Sequence, residues 1–105
     1  MIKVNVMYPY RDGARFDHAY YRDHHMPMMK AILGDACAYY TVDKGLTGRT
    51  PGEPPMYVAK CAFICASIEA YEAAVGPRRA DVMADIPKYT DIVPVVQVSE
   101  IVVGH

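Results

Sequence analysis

The sequence predicts one α+β domain with a ferredoxin-like fold, in which a four-stranded antiparallel sheet carries its helices on one face. Two observations predict this fold. Four apolar segments have the period of strands, and helical segments separate them in the order β-α-β-β-α-β, which is the ferredoxin-like plan. The chain has 105 residues, the length of one domain, so we assign residues 1–105 to a single unit.

The first strand and the start of the first helix lie near the N-terminus. Apolar and polar side chains alternate through "MIKVNVMYP", as in a strand with one buried face. The "YRDGA" that follows is typical of a turn. Asp17 is placed to cap a helix that begins near residue 17, and Phe16 is placed to pack on the first turn of that helix.

The segment "YYRDHHMP" then places a proline inside this helix. Pro27 has no N–H to bond back to Asp23, and its ring disfavours the α conformation for Met26. We therefore expect a helix to about His24, a kink, and a second helical piece through Leu33.

The remaining elements are two strands, a helical region and a last strand. "ACAYYTVDKG" and "MYVAKCAFIC" are typical of strands, and the segment between them, "LTGRTPGEPP", is a Gly- and Pro-rich loop. Ser67 is placed to cap the next helix, and Gly76-Pro77 ends that helix before a shorter one. "VVQVSEIVV", residues 95–103, is the last strand.

The apolar content predicts a homodimer. Hydrophobic residues make up 52% of the chain, above the roughly 45–50% of ordinary soluble domains, a figure that itself includes glycine. The last two strands are apolar at both parities, so both faces of the sheet need a cover, and helices supply only one. We therefore expect a second subunit to pack sheet against sheet, with the last strand and "PKYTDIVP" in the contact.

Charge and spacing argue against several classes of function. The net charge is −1 with a pI of about 6.4, and no basic stripe is present to neutralise the phosphates of a nucleic acid. No segment approaches the roughly 18 apolar residues of a membrane helix, and no signal-peptide pattern is seen, so we expect a cytoplasmic protein. The histidines and the three cysteines lack metal-ligand spacing, so we expect reduced thiols and no metal.

Four segments resemble the EthD family in order and spacing: "MIKVNVMYP", "ARFDHAYYRDHHMPMM", "GEPPMYVAKCAFICASIEAYEAA" and "ADIPKYTDIVPVVQVSEIV". The most specific pieces are the Phe-Asp-x-x-Tyr-Tyr-x-x-x-His-x-Pro run and the Ala-Asp-Ile-Pro-x-aromatic-Thr segment. The resemblance implies a dimeric α+β barrel and an association with ether degradation by an oxygenase system. It marks Tyr21, His25 and Pro27 as signature positions and implies no catalytic role for them. Relatives with the same barrel include cofactor-free monooxygenases and an isomerase, with a pocket between sheet and helices.

His25 and Tyr21 are the candidate catalytic residues. An imidazole titrates near neutrality, so His25 could take a proton from an acidic carbon or a phenol. Tyr21, four residues earlier on the same helix face, could donate a hydrogen bond to the developing oxyanion. The alternative is structural, with His25 bonded to a backbone group freed by Pro27. The neighbouring His24 faces away and is expected to be exposed.

The expected ligand is a small apolar or aromatic molecule, bound without a cofactor by aromatic and methionine side chains: Tyr8, Met28, Tyr40, Phe63, Met83 and Tyr89. Each of these residues also fits an ordinary place in the core. One possible function is a cofactor-free oxidoreductase or isomerase with His25 as the base. The other is a non-catalytic accessory protein that binds a small molecule for an oxygenase system. A polar, closed cavity that reaches His25 favours the enzyme, and a wide apolar cavity with His25 bonded only to backbone favours the binder.

Overall fold

A four-stranded antiparallel sheet forms the centre of the fold. The computed structural model describes residues 1–104. The strands are β1 (Ile2–Pro9), β2 (Cys37–Lys44), β3 (Tyr57–Cys65) and β4 (Val95–Glu100). Their order across the sheet is β2-β3-β1-β4, and every neighbouring pair is antiparallel. This arrangement confirms the predicted ferredoxin-like α+β fold.

The helices follow β1 and β3 along the chain and pack on one face of the sheet. The first helical run consists of α1 (His18–Tyr20), a π-helical turn (Tyr21–His25) and α2 (Met26–Leu33), and the second consists of α3 (Ile68–Val75) and α4 (Arg79–Asp85). Short 3₁₀ turns lie at Gly34–Ala36, Gly76–Arg78 and Ile86–Lys88. The core between the helices and the sheet takes alternate residues of β1 and β3, including Val4, Tyr8, Ala59, Cys61 and Phe63.

Both predicted N-caps are present. The Asp17 carboxylate accepts a hydrogen bond from the backbone N–H of Tyr20 at 3.1 Å, and Ser67 caps α3 in the same way. Phe16 packs edge-on against Tyr21, with ring centroids 5.1 Å apart. This contact joins the residue before the cap to the fourth residue after it, so it is the predicted hydrophobic staple.

The chain stays helical through Pro27, so the expectation that Met26 leaves the α region is wrong, whereas the second helical piece ends at Leu33 as predicted. Met26 keeps α-helical dihedral angles, φ −68° and ψ −41°, and its N–H bonds back to the carbonyl of Tyr21. That bond spans five residues, so the turn is wider than an α-helical turn. The wider turn moves the preceding carbonyls away from the proline ring. Pro27 then lies at the start of α2, where a missing N–H costs little.

The strand β4 is shorter than predicted. The expected strand ran to residue 103, but the observed strand ends at Glu100, which pairs with the first residue of β1. Beyond that point β1 offers only Met1, whose backbone carbonyl accepts a hydrogen bond from the N–H of Ile101. The side chain of Val102 is 84% exposed, past the end of the sheet.

The face of the sheet away from the helices is partly polar, which corrects the expectation that both faces are apolar. On β1 this open face carries Lys3, Asn5 and Met7, because the residues between them point into the core. Gln97 and Ser99 of β4 lie beside them, and the Gln97 amide donates to the Ser99 hydroxyl at 3.1 Å. The exposed apolar side chains are concentrated instead on β4 and just before it: Val93, Val95, Val96 and Val98.

Candidate active site

A buried hydrogen-bonded pair joins the π-helical turn to the end of α4. Nδ1 of His25 lies 2.8 Å from Oδ2 of Asp85, and the two side chains are only 6% and 11% exposed. The Tyr20 hydroxyl donates to the other carboxylate oxygen, Oδ1, at 2.7 Å. The Lys88 ammonium lies 3.7 Å from that same oxygen, and its side chain is largely exposed. Asp85 thus contacts His25 through Oδ2, and it contacts Tyr20 and Lys88 through Oδ1.

Burial and hydrogen bonding set the charge state of this pair. Burial lowers the pKa of His25 below its usual value of 6.5 and outweighs the opposing effect of Asp85. Burial acts to raise the pKa of Asp85, but hydrogen bonds from Tyr20 and His25 outweigh it and hold that pKa below 3.8. At neutral pH the pair is therefore a neutral imidazole beside a carboxylate. Because a carboxylate only accepts hydrogen bonds, we assign the imidazole proton to Nδ1, which leaves Nε2 with a free lone pair.

An apolar cavity lies beside His25, between the sheet and the helices. Its volume is about 130 Å³, and its walls include His25, Tyr8, Tyr21, Met29, Phe63 and Met83. The hydrogen bond of the imidazole to Asp85 uses Nδ1, and no hydrogen bond within residues 1–104 uses Nε2. A basic nitrogen therefore belongs to the wall of an otherwise largely apolar space.

The Tyr21 hydroxyl is buried without a hydrogen-bond partner. Tyr21 is 1% exposed, and its oxygen is the one buried side-chain N or O atom of residues 1–104 that has no partner. The Cys61 thiol lies close to this hydroxyl, but no contact has hydrogen-bond geometry, and a thiol is a weak partner in any case. Burial raises the pKa of Tyr21, so the phenol stays protonated and can donate a hydrogen bond.

Two further tyrosines support the imidazole. Tyr89 packs against His25 with ring centroids 4.7 Å apart, and its hydroxyl lies 2.6 Å from that of Tyr8. Tyr21 also stacks on His25, with centroids 5.6 Å apart and an interplanar angle of 14°, and its ring lies 5.0 Å from that of Tyr89. Burial raises the pKa of Tyr8 to about 12, so this pair of hydroxyls stays protonated at neutral pH. The imidazole is thus fixed by packing as well as by Asp85.

The structure brings together most of the residues predicted for the site. His25, Tyr21, Tyr8, Phe63 and Met83 line the cavity. Tyr89 lies behind the wall, where it contacts Tyr8 and His25. Met28 and Tyr40 are half-buried against the core and lie outside the cavity wall. His24 is exposed and packs on Tyr20, as expected.

Asp85 is the residue of this candidate site that the sequence analysis missed. It is 60 positions from His25 along the chain, so no local spacing connects the two. One signal was present, because Asp85 is the aspartate of the Ala-Asp-Ile-Pro-x-aromatic-Thr segment that the sequence analysis singled out. The aromatic residue of the same segment is Tyr89, the other contact of the imidazole.

Among residues 1–104, no three His, Cys, Asp or Glu side chains are grouped so that they could hold a metal ion. The three cysteines are buried free thiols, as expected. None of the described helices is long and apolar enough to cross a membrane.

Comparison with known proteins identifies the family. The model of the EthD domain matches residues 14–92, which include the π turn, Asp85 and most of the cavity wall. An EthD-like protein from Ralstonia eutropha JMP134 is 63% identical, with a TM-score of 0.96, and the match covers 99% of this chain and 94% of that one. A search of curated proteins found no match.

More distant structures share the fold alone. An ethyl tert-butyl ether D (EthD) family protein from Bacillus halodurans C-125 is 16% identical, with a TM-score of 0.70 over 95% of this chain and 97% of that one. A protein from Chloroflexus aurantiacus J-10-fl, named for the antibiotic biosynthesis monooxygenases, is also 16% identical, with a TM-score of 0.50 over 100% and 97% of the two chains. The domain match over most of the chain and the close Ralstonia structure together show that the protein belongs to the EthD family.

Proposed function

We propose that this protein is a cofactor-independent enzyme that uses His25 as a general base on a small apolar or aromatic molecule. The observation that carries the proposal is the hydrogen bond between His25 Nδ1 and Asp85, which leaves the basic Nε2 beside a largely apolar cavity. The structural alternative required His25 to bond a backbone group freed by Pro27, whereas Nδ1 bonds a carboxylate from another helix. The reaction class that fits is isomerisation or oxidation, in ether or aromatic catabolism.

The proposed chemistry begins with a proton transfer. Nε2 of His25 takes a proton from an acidic C–H or O–H group of the ligand, and Asp85 stabilises the imidazolium that forms. The Tyr21 hydroxyl is proposed to donate a hydrogen bond to the oxyanion. Return of the proton to a different carbon completes an isomerisation without a co-reactant. Alternatively, transfer of two electrons from the anion to dioxygen, together with two protons, would give an oxidised product and hydrogen peroxide.

A non-catalytic binding function is the second candidate, and one observation favours it. Most of the cavity wall is apolar, so it would hold a small hydrocarbon-like molecule without any chemistry. An accessory protein of an oxygenase system would need no more than this. The buried imidazole and carboxylate favour the enzyme, since an apolar carrier has no need of a basic nitrogen.

Exchange of ligand protons with D₂O separates the two candidates. The protein is incubated in D₂O with a panel of small enolisable ketones, and exchange at carbon is followed by NMR. We expect exchange with the parent, none with His25→Ala, and parental rates with His24→Ala, a control at the exposed neighbouring histidine. Binding of the panel with no exchange above the buffer rate would refute the enzyme and favour the binder.

We also propose that the protein is a homodimer. The support is the apolar surface at the β4 edge of the sheet, where Val95 is exposed on the open face, Val96 and Val98 are exposed on the face that the helices cover, and Val93 precedes the strand. Val96 also lines the cavity, so a partner on this surface would lie near the cavity mouth. The related folds that are dimeric support the same assembly.

A further inference from the structure

We infer that the ligand carries a hydrocarbon chain, and that this chain lies in an outer groove that continues from the cavity along the protein surface. The inference deepens the proposed function and rests on it, because it names the second half of the same ligand site. The ligand class becomes a molecule whose reacting group lies beside His25 and whose apolar chain extends outward.

The outer groove adjoins the cavity. It lies between the turn Ile86–Lys88 and residues 90–94, which lead into β4, and its volume is about 580 Å³. Four residues line both spaces: Met83, Ile86, Pro94 and Val96. None of the four is buried, and Met83 and Val96 are each 60% exposed. The cavity therefore opens into the groove at these residues, and a ligand can occupy both.

The walls of the groove are largely apolar. Ile92 is buried at its base, and Val93 is 82% exposed at its rim. Met83, at the junction with the cavity, has an unbranched and flexible side chain that can adapt to a chain passing beside it. Covering these exposed side chains with an apolar group removes them from water, which is favourable.

The polar groups of the groove already have partners within the protein. The Arg15 guanidinium donates to two backbone carbonyls of the turn Ile86–Lys88, at 2.7 and 3.4 Å. The Thr90 hydroxyl donates to the Arg15 carbonyl at 2.7 Å and accepts from the N–H of Ile92 at 3.1 Å. The Asp91 carboxylate accepts from the N–H of Arg15 at 3.0 Å. A hydrocarbon chain fits such a groove, because it needs no hydrogen bond and breaks none.

The same bonds fix the shape of the groove. Phe16 and Thr90 also form an isolated antiparallel bridge, which ties the segment before β4 to the segment before α1. Because this wall is already ordered in the free protein, a chain that binds there loses little affinity to the ordering of the protein.

A second copy of the protein is the competing occupant. The apolar surface proposed for the dimer shares Val93 and Val96 with the groove, whereas Val95 and Val98 lie outside it. The junction with the cavity favours the ligand, because a partner that filled the groove would block the passage to His25. The partner would then pack on the part of the surface that lies beyond the groove.

A series of methyl ketones from butanone to nonanone tests the inference. Dissociation constants are measured by NMR titration, and we expect a fall of about two- to fourfold for each added methylene in the parent, the upper value being that of complete burial. Val93→Glu places a charge in the groove and outside the cavity. It should leave butanone binding within about twofold and abolish the gain in affinity for the longer ketones.

Two control variants separate the groove from other effects. Val102 is 84% exposed, nearly as much as Val93, and lines neither space, so Val102→Glu should bind the series as the parent does. Val95 also lines neither space but belongs to the proposed dimer surface. We expect Val95→Glu to keep the gain in affinity with chain length, whatever its oligomeric state in sedimentation.

Affinity that stops rising after butanone in the parent, or a rise that survives in Val93→Glu, would overturn the inference. Loss of the rise in Val95→Glu together with dissociation would assign the chain to the interface between two copies and would overturn it as well. The proposed function can fail separately. A rise with chain length but no exchange of ketone protons with D₂O would uphold the groove and refute the enzyme, whereas exchange of butanone with a flat series would do the reverse.

Discussion

Replacement of Asp85 by Asn should invert the tautomer of His25 while preserving the fold. In the parent, Oδ1 of Asp85 faces both the Tyr20 hydroxyl and the Lys88 ammonium, and Oδ2 faces Nδ1 of His25. An Asn amide has one acceptor and one donor end. Since Tyr20 and Lys88 both require an acceptor, the amide oxygen should turn toward them and the NH₂ group toward His25. Nδ1 must then accept, which moves the imidazole proton to Nε2.

The expected magnitudes differ between Asn and Ala at this position. Asn satisfies both neighbours, so we expect the free energy of unfolding to change by less than about 1 kcal/mol. Ala leaves the Nδ1–H of His25 without an acceptor in a site that is only 6% exposed, and it also removes the acceptor of Tyr20. We expect Asp85→Ala to cost about 2–4 kcal/mol, which lowers Tm by about 10–20 °C for a domain of this length. Proton-transfer rates should fall by about 10²–10⁴ in Asp85→Asn, because Nε2 can no longer act as the base.

Long-range ¹H–¹⁵N correlation spectra of the histidine rings give the tautomer directly and need no substrate. We expect Nδ1–H in the parent and Nε2–H in Asp85→Asn, with the two proteins melting at similar temperatures. His24 lies at the surface and serves as an internal control whose spectrum should not change. The same tautomer in both proteins, or an Nε2–H form in the parent, would refute the assignment of Nε2 as the free base.

Three further predictions concern the pH dependence of stability, the reactivity of two buried thiols and the assembly of the protein. Because burial depresses the pKa of His25 below 6.5, the unfolded state binds more protons, so Tm should fall as pH drops below about 6.5, and should fall less in His25→Asn. Burial raises the pKa of Cys61 and of Cys65 to about 11, so both thiols should react far more slowly with a disulfide reagent in the native protein than in urea; equal rates would contradict their burial. Sedimentation at micromolar concentration should show a dimer that Val95→Glu dissociates, while Val42→Glu at the opposite edge of the sheet serves as a control; a folded parental monomer would contradict the proposed dimer.

The sequence was sufficient to predict the fold because short-range rules determine most of it. Alternation in β1 follows from burial of one face, and Asp17 and Ser67 cap their helices through bonds to residues three positions away. Tyr8 and Phe63 lie in the cavity wall for the same reason, since their parity on the strands turns them toward the helices. The last residue of β4 was harder to predict, because the strand ends where its partner β1 begins.

The site itself could be predicted only in part. Its two candidate catalytic residues lie within one helical turn and could be recognised from their spacing, but the partner of His25 comes from another helix, and only the fold brings Asp85 beside it. Proline rules predicted a break at Pro27, but they consider only α-helical bonds. Tertiary packing decides whether a π turn forms, because the wider turn persists only where its side chains are held by the surrounding core.

Three features that oppose stability coincide in this small region, and their coincidence favours a functional role over a structural one. A π-helical turn is rarer and less favourable than an α-helical turn, a hydroxyl buried without a partner costs about 1–3 kcal/mol, and a buried carboxylate is costly unless several hydrogen bonds compensate it. An apolar residue in place of Tyr21 would pack the same core without a buried, unpartnered hydroxyl. Proteins concentrate such conflicts where chemistry requires them. The unpartnered Tyr21 hydroxyl is the most informative of the three, because no fold requires it, whereas a ligand oxygen beside His25 would use it.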